Sequence, residues 1–169
     1  MGVWADGRVA QVSSGGLLVD KTMVQHFRDL RVYREAFLAA REIYRLSKTW
    51  PTEERYALTD QIRRSSRSVA TNIAEAWRKR RYPNHFVSKL SDGDAEAAET
   101  QSWLDFAVDY GCITHATYTD LDDRYDKIQG SLVTMMTNKN RWCGPSQVRE
   151  TDADYDDETT PLPWTAGRA

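Results

Sequence analysis

Four times between residues 29 and 138 the apolar residues recur at helical spacing, and Pro or Gly stands at the breaks. The first recurrence, Leu30, Tyr33, Phe37, Ala40 and Tyr44, is widened by Val32, Ala36 and Ile43 and faces Arg34, Arg41, Glu42 and Arg45. It predicts a helix from about Asp29 to Lys48 that stops at Trp50-Pro51, because proline cannot extend a helix and restricts the residue before it. Thr52 is the expected N-cap of a second helix, with Glu53 and Glu54 at its positive end. The second stripe is Leu58, Ile62, Ser65, Val69, Asn72/Ile73 and Ala76. Pro83 suits the first turn of a third helix, whose stripe is Phe86, Leu90, Gly93, Ala97, Gln101, Leu104 and Val108, with Gly111 as its stop. Thr114 or Thr117 caps the fourth, where Tyr118, Leu121, Tyr125, Ile128, Leu132 and Met135 form a coiled-coil-like seam. No run of alternating β-branched residues separates these segments. The expected fold is all-α: an antiparallel up-down four-helix bundle with short connections.

The bundle is expected over 25–142. Residues 1–24 read as a flexible N-terminal extension, with Met23 as the expected natural start, and 143–169 as a disordered acidic tail. The chain has a formal net charge of −2, but the charge is uneven. From Gly144 onward two arginines face six acids, which leaves the body mildly basic. Cys112 and Cys143 are too few for a disulfide framework and lack metal-ligand spacing, so inert thiols in a reducing compartment are expected. No apolar run approaches the roughly 20 residues that span a bilayer, and the N-terminus does not read as a signal peptide. The expected location is the cytoplasm, without membrane association.

Catalytic chemistry finds few residues to stand on. Di-iron bundles need Glu-x-x-His pairs, and none precedes His26, His85 or His115. No phosphate loop, dinucleotide turn or nucleophile elbow occurs. Glu96 and Glu99 share a helix face, and the reading preferred for them is solvated surface. The expectation is no enzyme, no cofactor and no metal.

Two features remain. The stretch QIRRSSRSVATNIAEAWRKRRY, residues 61–82, holds Arg63, Arg64, Arg67, Arg78, Lys79, Arg80 and Arg81 against the single acid Glu75. On a wheel with Leu58 at zero, Arg63, Arg67, Arg78 and Arg81 fall about 140–200° round, opposite the core, and Arg64 falls at about 240°, where it can touch a neighbouring helix. These five arginines are the candidate phosphate-binding stripe, since the guanidinium fork matches phosphate oxygens; ordinary solvated surface is the competing reading. Lys79 and Arg80 lie off that face and read as cover for the helix end. On the third helix, Trp103, Phe106 and Tyr110 share a face about 130° or more from its core stripe, so either the core is wider than one stripe or this face meets another subunit; the second reading is preferred, because exposed aromatic patches mark interfaces.

The segment FRDLRVYREAFLAAREIYRLSKTWPTEERYALTDQIRRSSRSVATNIAEAWRKRR resembles the opening of the four-helix bundle family first described as 23S rRNA intervening-sequence proteins. The likeness rests on Phe27, Asp29, Leu30, Val32 and Tyr33, on Pro51, Glu54, Tyr56 and Leu58, and on Gln61, Ile62, Arg63, Arg64, Ser68, Val69, Asn72, Ile73, Ala74 and Glu75. Phe86, Glu96, Glu99, Trp103, Leu104 and Gly111 continue it, over about residues 25–140 in all. Ala76 departs from the glycine usual there, and WRKRRYPNH replaces a polar linker. The resemblance implies a ring-like homo-oligomer, a pentamer, with no enzymatic activity. It is also similar to the accessory variability determinants of diversity-generating retroelements, which bind nucleic acid through basic surfaces and associate with a reverse transcriptase.

Together these readings lead to a non-enzymatic homo-oligomeric bundle that binds nucleic acid, RNA in preference to DNA, as an accessory to a reverse transcriptase. Sequence readout is not expected, because no aromatic residue is interleaved among the arginines. The alternative is a protein-interaction scaffold whose basic face meets an acidic partner or its own acidic tail.

Overall fold

A computed structural model describes residues 24–143. The expectations for the N-terminal extension, the start at Met23 and nearly all of the acidic tail lie outside the described residues. Within them there is no strand, and no helix is long and apolar enough to cross a membrane. Four long helices, α1 (Arg31–Leu46), α2 (Asp60–Lys79), α3 (Pro83–Asp109) and α4 (His115–Thr137), are followed by the short α5 (Lys139–Trp142). α2 packs against α1 and α3, and α4 closes the circuit against α3 and α1. One core runs through the middle, with Ile43, Leu58, Ile62, Val69, Ile73, Phe86, Leu90, Leu104, Leu121, Tyr125, Ile128 and Leu132 sealed from solvent.

Helix ends follow the local chemistry. Pro83 opens α3, where its missing N–H costs nothing. The α3 C-terminus closes on Gly111, at φ 70°, with the Cys112 N–H donating to the Ala107 carbonyl at 2.8 Å and the Gly111 N–H to Val108 at 3.1 Å. This is a Schellman motif, and its left-handed residue is glycine because a Cβ there is strained. Thr114 caps α4 by accepting from the Thr117 N–H at 3.2 Å. Gly93 lies at the α2–α3 contact, where an added Cβ would stand 3.4 Å from Asn72 Cβ.

Several expectations need correction. Thr52 is not the cap of the second helix. Residues Thr52–Glu54 form a 3-10 turn and Arg55–Thr59 a wide π turn, so α2 begins at Asp60 without a side-chain cap. The first stripe is also rotated. Val32, Ala36, Ala39, Ala40 and Ile43 are buried in α1, Tyr33 and Phe37 are half-buried, and Tyr44 is 42% exposed. The alanines take buried positions, where α2 and α4 pack on α1, the rings of Tyr33 and Phe37 lie at the edge of the core, and Tyr44 lies outside it. Late in α3 Leu104 is buried as expected, but the positions buried beside it are Thr100 and Ala107, while Gln101 and Val108 are half-buried. The buried residues Phe86, Leu90, Gly93, Ala97, Thr100, Leu104 and Ala107 keep the strict 4-3 spacing of a 3.5-residue repeat, so the inward face of α3 follows a heptad seam rather than the drift of about 20° per heptad of a straight helix.

Candidate nucleic-acid interface

The arginine stripe is set by the packing of α2. Ile62, Ser65, Val69, Ile73 and Ala76 are buried, and Arg67, Arg78 and Arg81 stand on the exposed side with Arg63 half-buried between faces. The five arginines do not form one uniform row. Arg63 and Arg67 turn toward the end of α1, where Tyr44 lies. The Arg63 guanidinium carbon is 5.1 Å from the Tyr44 ring centroid, Arg67 is 5.7 Å away and the Lys48 ammonium 5.0 Å. Arg63 is held there by its Nε–H, which donates to Ser47 Oγ at 2.7 Å. Three cations, Arg63 and Arg67 of α2 and Lys48 of the 3-10 turn Ser47–Thr49 after α1, thus surround one half-exposed aromatic ring, whose face attracts them.

This arrangement corrects the expectation that no aromatic residue is interleaved among the arginines. Tyr44 comes from the neighbouring helix, and helical spacing on α1 assigned it to the core. Its signal in the sequence was the Tyr44–Lys48 pair at i, i+4, two cation-π partners on one helix face.

Arg63 and Arg67 also line a surface cavity of about 410 Å³ with Arg64, Ser68, Thr71 and Asp60. Among the described residues, Arg63 and Arg67 form no ion pair with a carboxylate. Arg64 does: its Nη2 lies 3.2 Å from Glu99 Oε1 on α3 and also donates to Gln61 Oε1 at 3.0 Å. This pair is solvent-exposed, worth at most about 1 kcal/mol, and is weak enough to be exchanged for a phosphate.

Arg78 stands on the last turn of α2, eleven residues from Arg67 and roughly 16 Å along the axis at 1.5 Å per residue, and Arg81 lies in the turn that follows the helix. There Arg78 joins Arg28 and His26. Burial lowers the His26 pKa first, Arg28 and Arg78 lower it further, and Asp29 opposes them. The basic surface is therefore two clusters, one toward each end of α2. Arg80 takes no part: its guanidinium stacks 4.2 Å from the Trp77 ring and donates to the Trp77 carbonyl. Lys79 lies 3.8 Å from Glu75.

Glu99 is not the freely solvated carboxylate expected. It is half-buried and its Oε1 accepts from both Arg64 Nη2 and the Trp103 indole N–H, the latter at 3.1 Å. Glu96 is half-buried too. Its Oε2 finds no hydrogen-bond partner among the described residues, and burial, with Glu99 beside it, pushes its carboxyl up against the pull of Arg64. Beyond Trp103 the aromatic face continues as expected. The Trp103 and Phe106 ring centroids are 5.7 Å apart, and those of Phe106 and Tyr110 5.9 Å. Phe106 is 43% and Tyr110 54% exposed, whereas Trp103 packs partly against the core. Cys112 and Cys143 are free, and burial raises both thiols.

Comparison with known proteins agrees with this architecture. The profile of a family described as 23S rRNA-intervening sequence protein matches residues 28–134. No curated protein matches the chain. Among solved structures, the chain is similar to a protein of unknown function from the S23 ribosomal protein family of Bacteroides thetaiotaomicron VPI-5482. The two are 27% identical with a TM-score of 0.57, and the match covers 62% of this chain and 97% of the other.

Proposed function

This chain belongs to the 23S rRNA-intervening sequence protein family, and from that membership and its basic face we propose that it is a non-enzymatic, homo-oligomeric nucleic-acid-binding bundle. In this reading the four helices alternate in direction and single-stranded or looped RNA is the ligand, in preference to DNA. The observation that carries it is the pairing of Arg63 and Arg67, free of carboxylate partners among the described residues, on the exposed edge of a charged cavity. Phosphate oxygens are the natural counter-charge for such a cluster. Arg64 contributes after releasing Glu99, and Arg78 and Arg81 form the second contact point along the strand.

Assembly multiplies this charge. A ring, pentameric as in the relatives this chain resembles, repeats each cluster in every subunit, so a modest local charge becomes a multivalent one. The face of Trp103, Phe106 and Tyr110 supports such an assembly, because two adjacent exposed rings are unusual on a monomer's surface. Service to a reverse transcriptase in the cytoplasm is the role the resemblance carries.

The test is size-exclusion chromatography with light scattering at low and high salt, with absorbance followed at 260 and 280 nm. The proposed function expects an oligomer that carries nucleic acid at low salt and sheds it at high salt. A species free of nucleic acid, with no affinity for added RNA, overturns it; the basic face is then left to an acidic protein partner.

A further inference from the structure

We propose that Tyr44 is a base-stacking platform, so that the cluster at the α1–α2 junction takes one nucleotide of a single strand: the base at Tyr44 and its phosphate in the adjoining cavity. This deepens the nucleic-acid reading and rests on it.

The geometry is that of a two-part site. Tyr44 is 42% exposed, on the last turn of a helix whose other rings, Tyr33 and Phe37, are half-buried. Lys48, Arg63 and Arg67 stand over its ring at 5.0–5.7 Å, so the base takes the place that the exposed Lys48 ammonium holds on the ring in the free protein, and the two arginines stay beside it. Arg63 and Arg67 then continue into the cavity with Arg64 and Ser68. A base carries a π-face that an aromatic ring or a guanidinium plane can cover, and the phosphate attached to it needs cations one sugar away. Here Arg63 belongs to both parts. Ser47 fixes its Nε, so its guanidinium plane is set before a ligand arrives, which lowers the ordering cost of binding. The cavity, at about 410 Å³, falls within the size range of small-ligand sites. Asp60 stands at the N-terminal end of α2, three residues before Arg63, and bounds the anion path on that side. Bases in a duplex are already stacked and offer no free face, so the cluster favours single strands.

A 12-nucleotide oligoadenylate RNA is compared with a strand of equal length whose central residues are abasic, keeping the phosphates and removing the bases. Stacking expects the wild-type protein to bind the intact strand about five- to a hundred-fold more tightly. Tyr44→Ala should erase that preference, with the intact strand losing more affinity than the abasic one and the helical circular dichroism kept. Tyr44→Phe, which keeps the ring, should retain it. If wild type binds both strands equally, or if Tyr44→Ala weakens both equally, Tyr44 only supports the arginines and the inference is overturned, although phosphate binding stands. If neither strand binds, the nucleic-acid reading falls with it.

Discussion

Tyr44 and Glu99 show what one-dimensional reading captures at the residue scale and what it misses. The arginines of α2 were legible because charge on a helix opposite an apolar stripe needs only one element to interpret. Tyr44 was not, because its partners Arg63 and Arg67 are distant in sequence and only the α1–α2 packing unites them. Glu99 likewise gained its role from Arg64, 35 positions away. Two residues provide titrations. His26 is held below its usual pKa of 6.5 by burial, Arg28 and Arg78, against Asp29. Phosphates that neutralise those arginines should raise it, so a strand bound at this end should take up a proton and bind more tightly as pH falls through that range. Proton NMR of His26 with and without RNA checks this; an unmoved titration means that Arg78 touches no phosphate. Glu96 is shifted the other way, upward, so its ionised form is penalised in the folded state above its raised pKa and the penalty is gone below about 4.5. Glu96→Gln should therefore raise the Tm at pH 7, with the gain shrinking toward pH 4. A lower Tm at pH 7 would mean that the Glu96 charge supports Arg64.

Element existence was readable from periodicity and breakers, while element faces were less so. Pro83, Gly111 and Thr114 mark boundaries by local chemistry, and each does what its chemistry demands. The start of α2 was misplaced because a π turn leaves no mark in the pattern of apolar residues. The face of α1 differs from the expected stripe because Tyr33, Phe37 and Tyr44 read as core beside Ala36 and Ala40, yet close helix packing buries Ala36, Ala39 and Ala40 and leaves the rings partly or largely exposed. The glycine stop permits a clean measurement. Nothing lies within 4 Å of a Cβ added at Gly111, so Gly111→Ala isolates the left-handed backbone. Its cost should be about 1–2 kcal/mol, read from chemical denaturation. A neutral substitution would mean that the α3–α4 turn relaxes at no cost.

At the scale of the whole molecule, the charge and the aromatic surface have to be explained together. The formal charge of −2 hides a basic helix and an acidic C-terminal stretch, and only the former lies within the described residues. Trp103 is a poor probe of assembly, since it also braces the core and Glu99. Phe106 and Tyr110 are better, being exposed with no hydrogen-bonding duty among the described residues. Replacing both by Ala should weaken subunit association about 30-fold or more, the scale of an interface hot spot, with helical circular dichroism kept. Light scattering over a dilution series reads it, and an assembly that dilutes like wild type would place the interface elsewhere. The central claim is that Arg63 and Arg67 bind backbone phosphate. The most direct measurement is the slope of log affinity against log salt for single-stranded RNA, wild type against Arg63→Gln/Arg67→Gln. The slope should fall by about 0.7 for each phosphate no longer neutralised, with affinity reduced equally across sequences of one length and with Tm and oligomer size unchanged. A folded variant with wild-type affinity and slope would contradict the claim.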